Sequence, residues 1–219
     1  MRTLSLLVLG GLISGAFAQS LPQLDGPSLN PRAEEIRQIE CPTGEIPEGS
    51  SQVWIEEYER RARYSETLPA YFAAVPLERD QTLEMPIKGV TVSQIVDTWG
   101  AARSEGRRHE GQDIFVPRGT PIYSATTGYV YRMAENPRGG NTVTVVGGGG
   151  VRYYYAHLNG YPENLEEGQY VTTETVIGYV GNTGNARTTP PHLHIGMYTG
   201  SYESCDWEAE NPYPLLVNR

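Results

Sequence analysis

The chain has 219 residues, 38% of them hydrophobic, enough for one ordinary globular core, which excludes disorder throughout. With 25 glycines and 16 prolines it turns too often to be a helical bundle. Its formal net charge of -9 leaves no basic face to neutralise phosphates, which argues against nucleic acid as a partner.

At the N-terminus, Arg2 precedes an apolar run from Leu4 through Phe17 that closes on Ala16-Phe17-Ala18, the small-x-small pattern of a signal-peptidase site. The run contains Gly10, Gly11 and Gly15 and is shorter than the roughly 20 residues a bilayer span requires. Residues 1–18 are therefore expected to be a signal peptide, leaving an exported chain, periplasmic or secreted, without a stable membrane anchor. No cysteine follows the cleavage point until Cys41, which argues against a lipid anchor. In an oxidising compartment Cys41 and Cys205, the only two cysteines, are expected to pair as a disulfide. The alternative, thiolate metal ligands, would want a close Cys-x-x-Cys spacing.

Residues 19–85 carry 13 acidic and 6 basic side chains and read as an acidic, partly helical extension. Its first part is rich in Pro, Gly and Glu. From Ser51 to about Tyr64, Trp54, Tyr58 and Arg61 recur at near-helical spacing, with a possible continuation through Tyr71 and Phe72 beyond Pro69. From residue 86 the texture changes to short alternating runs between glycines. Strands are predicted at Asp113–Val116, Pro121–Ser124, Gly128–Met133, Thr142–Val146, Val151–His157, Thr175–Val180 and His192–Tyr198. The expected fold is mainly β, a compact antiparallel sandwich or barrel-like domain over residues 86–219.

The chain has only four histidines: His109, His157, His192 and His194. Strand alternation puts His192 and His194 on one face and Leu193, Ile195 and Met197 on the other. The His109-Glu110-Gly111-Gln112-Asp113 stretch resembles the start of a helical His-Glu-x-x-His motif, but Gly111 and the strand-like residues after Asp113 speak against a helix. Alternation would also place Tyr153, Tyr155 and His157 together. A single histidine is more often structural than functional, yet all four fall in short polar-apolar motifs. His109, Asp113 and His194 would make a three-ligand metal site with an open position, the arrangement of catalytic zinc. His157 and His192 are then left as acid–base groups for water.

These motifs resemble those of the lysostaphin-type zinc endopeptidases, the LytM or β-lytic family, over about residues 86–198. The resemblance rests on Arg108 to Asp113, on Tyr-Ala-His-Leu ending at Leu158, and on Pro-His-Leu-His at Pro191 to His194. Pro117-Arg118-Gly119-Thr120-Pro121 and Gly181-Asn182-Thr183-Gly184 support it. It implies Zn2+ held by His109, Asp113 and His194, catalysis by His157 and His192, and hydrolysis of peptide bonds in peptidoglycan stems or cross-links. Tyr153 or Tyr155 could help bind or polarise the substrate carbonyl, but two ordinary strand-face tyrosines are the favoured reading. A different class, a non-catalytic wall-binding or amidase-activating module, would be marked by loss of one of the five site residues, and all five are present. The same chemistry on an extracellular protein is a third reading.

Overall fold

The computed structural model describes residues 24–26, 30–36, 67–200 and 207–219. The expected signal peptide, the helix expected over 51–64, and both cysteines lie outside them.

Helix α1 (Ala33–Ile36) and a second helix, α2 (67–74), precede strand β1 (Leu83–Glu84). The chain then forms β2 (Gln112–Phe115), β3 (Pro121–Tyr123), β4 (Gly128–Asn136), β5 (Gly140–Val146) and β6 (Arg152–Leu158). It ends with β7 (Tyr170–Val171), β8 (Val176–Tyr179), β9 (His192–Thr199), β10 (Glu208–Glu210) and β11 (Leu216–Val217). All seven predicted strands are present. The four not foreseen, β1, β7, β10 and β11, are two or three residues long, too short for alternation to register.

The large sheet is antiparallel, in the order β10-β9-β6-β5-β4-β7, with β2 also on β9. Strands β2 and β10 share one edge of β9: β2 pairs with His192 to Ile195 and β10 with Met197 to Thr199. Two small sheets, β3–β8 and the parallel β1–β11, accompany it. The mainly β expectation holds.

Alternation gives the large sheet two apolar clusters on opposite faces. Val130, Val143, Val145, Tyr153, Tyr155, Leu193, Ile195 and Met197 turn to the inner face and pack with Ile122 of β3, Ile177 of β8, Leu83 of β1 and Leu216 of β11. On the outer face, Tyr129, Tyr131 and Val146 are covered by Leu68, Tyr71, Phe72 and Val75, with Ile36 beside them. Tyr71 meets Tyr131 edge-on at 5.1 Å between ring centroids, a favourable quadrupolar geometry.

The glycine run 147–150 has a structural explanation. Gly149 and Gly150 take φ of +67° and +70°, and the turn lies against the segment after α2. Gly149 N–H donates to Pro76 O at 2.8 Å, and Gly148 N–H donates to Asp80 Oδ2 at 3.2 Å. A Cβ on Gly148 would sit 2.6 Å from Glu78 O, so no side chain fits this seam. The same Asp80 Oδ2 accepts the hydroxyl of Tyr153 at 3.0 Å.

Candidate metal centre and active site

Register builds the site on the open part of the outer face. Asp113 of β2 pairs with His194 of β9, Phe115 with His192, and Ala156 of β6 with His194. His109 arrives from a hairpin just before β2. Gly100 N–H donates to His109 O (2.8 Å), His109 N–H to Ala101 O (2.9 Å) and Arg103 N–H to Arg107 O (3.0 Å). Segment 96–98 is fastened to β2 by Gln112, whose amide donates to Val96 O and accepts from Thr98 N–H.

Three ligand atoms converge. His109 Nε2 lies 2.9 Å from His194 Nδ1, and Asp113 Oδ1 lies 3.1 Å from each of them. His109 Nδ1 faces the backbone oxygen of Thr98 at 2.8 Å. A carbonyl oxygen only accepts, so Nδ1 carries the proton and Nε2 presents a lone pair. That lone pair, a carboxylate oxygen and an imidazole nitrogen share one small space, where at most one proton is available to separate three acceptors. A cation resolves the conflict: tetrahedral zinc ligands at about 2.0–2.2 Å from the ion lie about 3.4 Å apart, close to this triangle. Burial pushes the Asp113 carboxyl up, but hydrogen bonds and charge from His109 and His194 outweigh it and hold it well below the usual range. Burial lowers His194, favouring the neutral ring that a metal ligand requires.

Gly111 makes room for this arrangement. A Cβ there would stand 2.5 Å from His194 Cε1 and 2.7 Å from Ile195 O, so any side chain would push the ring away.

The other two histidines stand beside the triangle. His157 Nδ1 donates to Thr183 O at 3.0 Å and His192 Nδ1 to Pro190 O at 2.9 Å, by the same carbonyl argument. Both Nε2 atoms are therefore free for proton transfer. The rings of His157 and His192 lie 4.9 Å apart, and His192 Nε2 is 3.9 Å from Asp113 Oδ1. Burial, then the charges of His194 and His192, lowers His157 to about 4, so it is neutral at pH 7.

All five predicted metal and acid–base residues are thus brought together, whereas Tyr153 and Tyr155, weighed as substrate-binding groups, lie apart from them. Tyr153 and Tyr155 are 1% and 0% exposed and belong to the inner core; Tyr155 Oη accepts from Ala125 N–H at 2.9 Å. The cause is an irregularity at the end of β6. The register with β5 shifts between Asn141 and Val143, and His157 takes φ of +65°. Tyr155 and Leu158 both face the inner core, so Ala156 and His157 lie between them and His157 turns outward. Strict alternation would have buried it with Tyr155. The tyrosine on the site face is Tyr154, edge-on to His194 at 6.2 Å.

Sequence reasoning missed three further participants. Thr98 receives His109 on its carbonyl and donates no side-chain contact there; its hydroxyl instead accepts Asp113 N–H at 2.9 Å. Phe115 is 56% exposed and lies against His192, centroids 4.9 Å apart, the rings tilted by 33°. Arg103 Nη2 reaches Asp113 Oδ2 at 2.6 Å. Only Phe115 left a signal, an outward apolar residue at a strand end; backbone acceptors leave none.

Residues 107–206 match the model of Peptidase family M23. The L-Ala–D-Glu endopeptidase of Bacillus subtilis is 40% identical over 54% of this chain and 38% of its own length. Lysostaphin of Staphylococcus simulans is 34% identical over 51% of this chain and 22% of its own. The chain thus spans well under half of either relative. A Pseudomonas aeruginosa crystal structure assigned to peptidase M23 superposes with a TM-score of 0.50 and 27% identity, covering 77% of this chain and 62% of that one.

Proposed function

We propose that the protein, whose residues 107–206 match the model of peptidase family M23, is an exported zinc-dependent endopeptidase that hydrolyses peptide bonds in peptidoglycan stems or cross-links. The observation that carries this reading is the acceptor triangle of His109, Asp113 and His194, with edges of 2.9 to 3.1 Å, beside two histidines whose Nε2 atoms are free. Those three residues would hold the zinc, which when bound supplies the positive charge that polarises a scissile carbonyl and acidifies water.

The chain's own groups account for the proton. With Nδ1 fixed on a carbonyl, each of His157 and His192 offers Nε2 as the single site of exchange. One accepts the proton of the water that adds to the peptide carbonyl and returns it to the departing amine. The other stands beside it, ring centroids 4.9 Å apart, as a second Nε2 acceptor for the same water. The Thr183 and Pro190 carbonyls keep both rings in the required tautomer throughout. Export rests on the signal-peptide pattern of residues 1–18, and in such a compartment Cys41 and Cys205 would pair. The similarity to an L-Ala–D-Glu endopeptidase, and to a glycyl-glycine endopeptidase of Staphylococcus capitis that is 34% identical over 51% of this chain, favours cell-wall peptide as the substrate over other extracellular protein.

The test compares His192→Ala with His194→Ala for zinc content and for release of soluble muropeptides from purified sacculi. His194→Ala is expected to lose zinc and activity together. His192→Ala is expected to keep near-stoichiometric zinc while turnover falls by roughly 10²–10⁴-fold. If both variants keep zinc and full activity, the proposed function is wrong.

A further inference from the structure

We propose that Arg103 is a positioning residue for the metal centre: it holds Asp113 Oδ2 and so commits Oδ1 alone to the ligand triangle, setting the affinity and the coordination of the bound cation. The inference rests on the reading of His109, Asp113 and His194 as metal ligands.

The geometry is specific. Asp113 is 8% exposed, and its two oxygens have different surroundings. Oδ1 faces His109 and His194 at 3.1 Å each, while Oδ2 is engaged by Arg103 Nη2 at 2.6 Å, the short distance of a charge-assisted bond. A carboxylate turning freely about its last bond presents either oxygen, or both, to a cation. A donor on Oδ2 removes the bidentate option and fixes the plane of the group. His109 and Arg103 also lie on opposite arms of the same hairpin, which Arg103 N–H to Arg107 O and His109 N–H to Ala101 O close. One element therefore delivers a ligand to the first oxygen and a clamp to the second.

Arg103 exerts a second, opposing effect, since its positive charge repels a cation. Its side chain is 38% exposed, so solvent screens that repulsion. The hydrogen bond to a buried carboxylate is not screened in the same way. Orientation therefore dominates, and losing a partner of this kind typically weakens metal binding by about 10–100-fold.

The experiment measures the zinc dissociation constant of the whole protein by competition with a chromophoric chelator, and the visible absorption of the Co2+ form. Arg103→Ala is expected to bind zinc about 10–100-fold more weakly, and Arg103→Lys, which keeps a charged donor of different shape, to fall between it and the unaltered protein. The Co2+ bands of Arg103→Ala are expected to weaken and shift, as the freed carboxylate raises the coordination number. Zinc affinity equal to or tighter than that of the unaltered protein overturns the proposal. So does weaker binding with an unchanged Co2+ spectrum, because that is a charge effect without reorientation. Circular dichroism of the metal-free variants separates both results from misfolding, and Arg103→Lys carries the test if Arg103→Ala does not fold. Failure of the unaltered protein to bind zinc would instead remove the metal reading itself.

Discussion

Over β4, β5 and β7 the outer face of the large sheet is sealed by α2 and the residues just after it; over β2, β6 and β9 the same face lies clear of that segment and carries the histidines, which are themselves largely buried. The sealed half is apolar: Tyr129, Tyr131 and Val146 pack on Tyr71, Phe72 and Val75. The open half is polar and depends on direction, with each of His109, His157 and His192 pinned through Nδ1 to one main-chain oxygen. Apolar burial scales with area and tolerates small displacements. A hydrogen bond or a ligand bond does not. The N-terminal segment therefore supports the histidines indirectly, by stabilising the strands that continue into the open half.

The comparison breaks most visibly at two phenylalanines that meet opposite halves of this face. Phe72, 4% exposed, should cost about 3–5 kcal/mol of stability when replaced by Ala, read as a lower midpoint in urea. Zinc affinity of the folded fraction should not change. A loss below about 1 kcal/mol would show that the N-terminal segment is not a structural part of the sheet.

Acid should act on the open half and spare the sealed one. The unfolded His157 ring takes up a proton near pH 6.5, but the folded ring stays neutral to about 4. Between those values the unfolded state binds more protons, so metal-free protein should lose stability as pH falls from 6.5 to 4. His157→Asn should flatten that slope, whereas Phe72→Ala should shift the whole curve without changing its shape. Equal slopes in all three proteins would contradict the burial assigned to His157.

Phe115→Ala should have the smallest effect on folding. The ring is more than half exposed, so the loss should stay under about 1 kcal/mol. Its contact with His192 should appear instead as a fall in kcat/KM of about 2–10-fold, the range an aromatic pair can supply. Unfolding midpoints beside muropeptide release for the two Phe→Ala variants would give the contrast directly.

The open half was legible wherever period-two alternation survived. His192 and His194 could be placed on one face because β9 runs without irregularity, and Asp113 because β2 pairs with it residue by residue. The same rule put His157 on the face of Tyr153 and Tyr155, because the shift between β5 and β6 leaves no mark in composition. Carbonyls of Thr98, Thr183 and Pro190 are chemically identical to every other peptide oxygen, and only the folded path distinguishes them. Arg103 left no signal, because its reach to Asp113 depends on a hairpin held by main-chain bonds. The sealed half was legible only in Tyr71 and Phe72, whose partners lie across the sheet and far along the chain.

The left-handed backbone of His157 has a consequence for how this protein could change over generations. A non-glycine residue at φ of +65° typically costs about 1–3 kcal/mol, which the surrounding strands must hold in place. Glycine would relieve that cost and abolish the imidazole. Asparagine, which tolerates the conformation well, would do nearly the same. Drift towards greater robustness therefore runs, at this one position, towards an inert relative with an intact fold, and only continued demand for the side chain's chemistry keeps the histidine there.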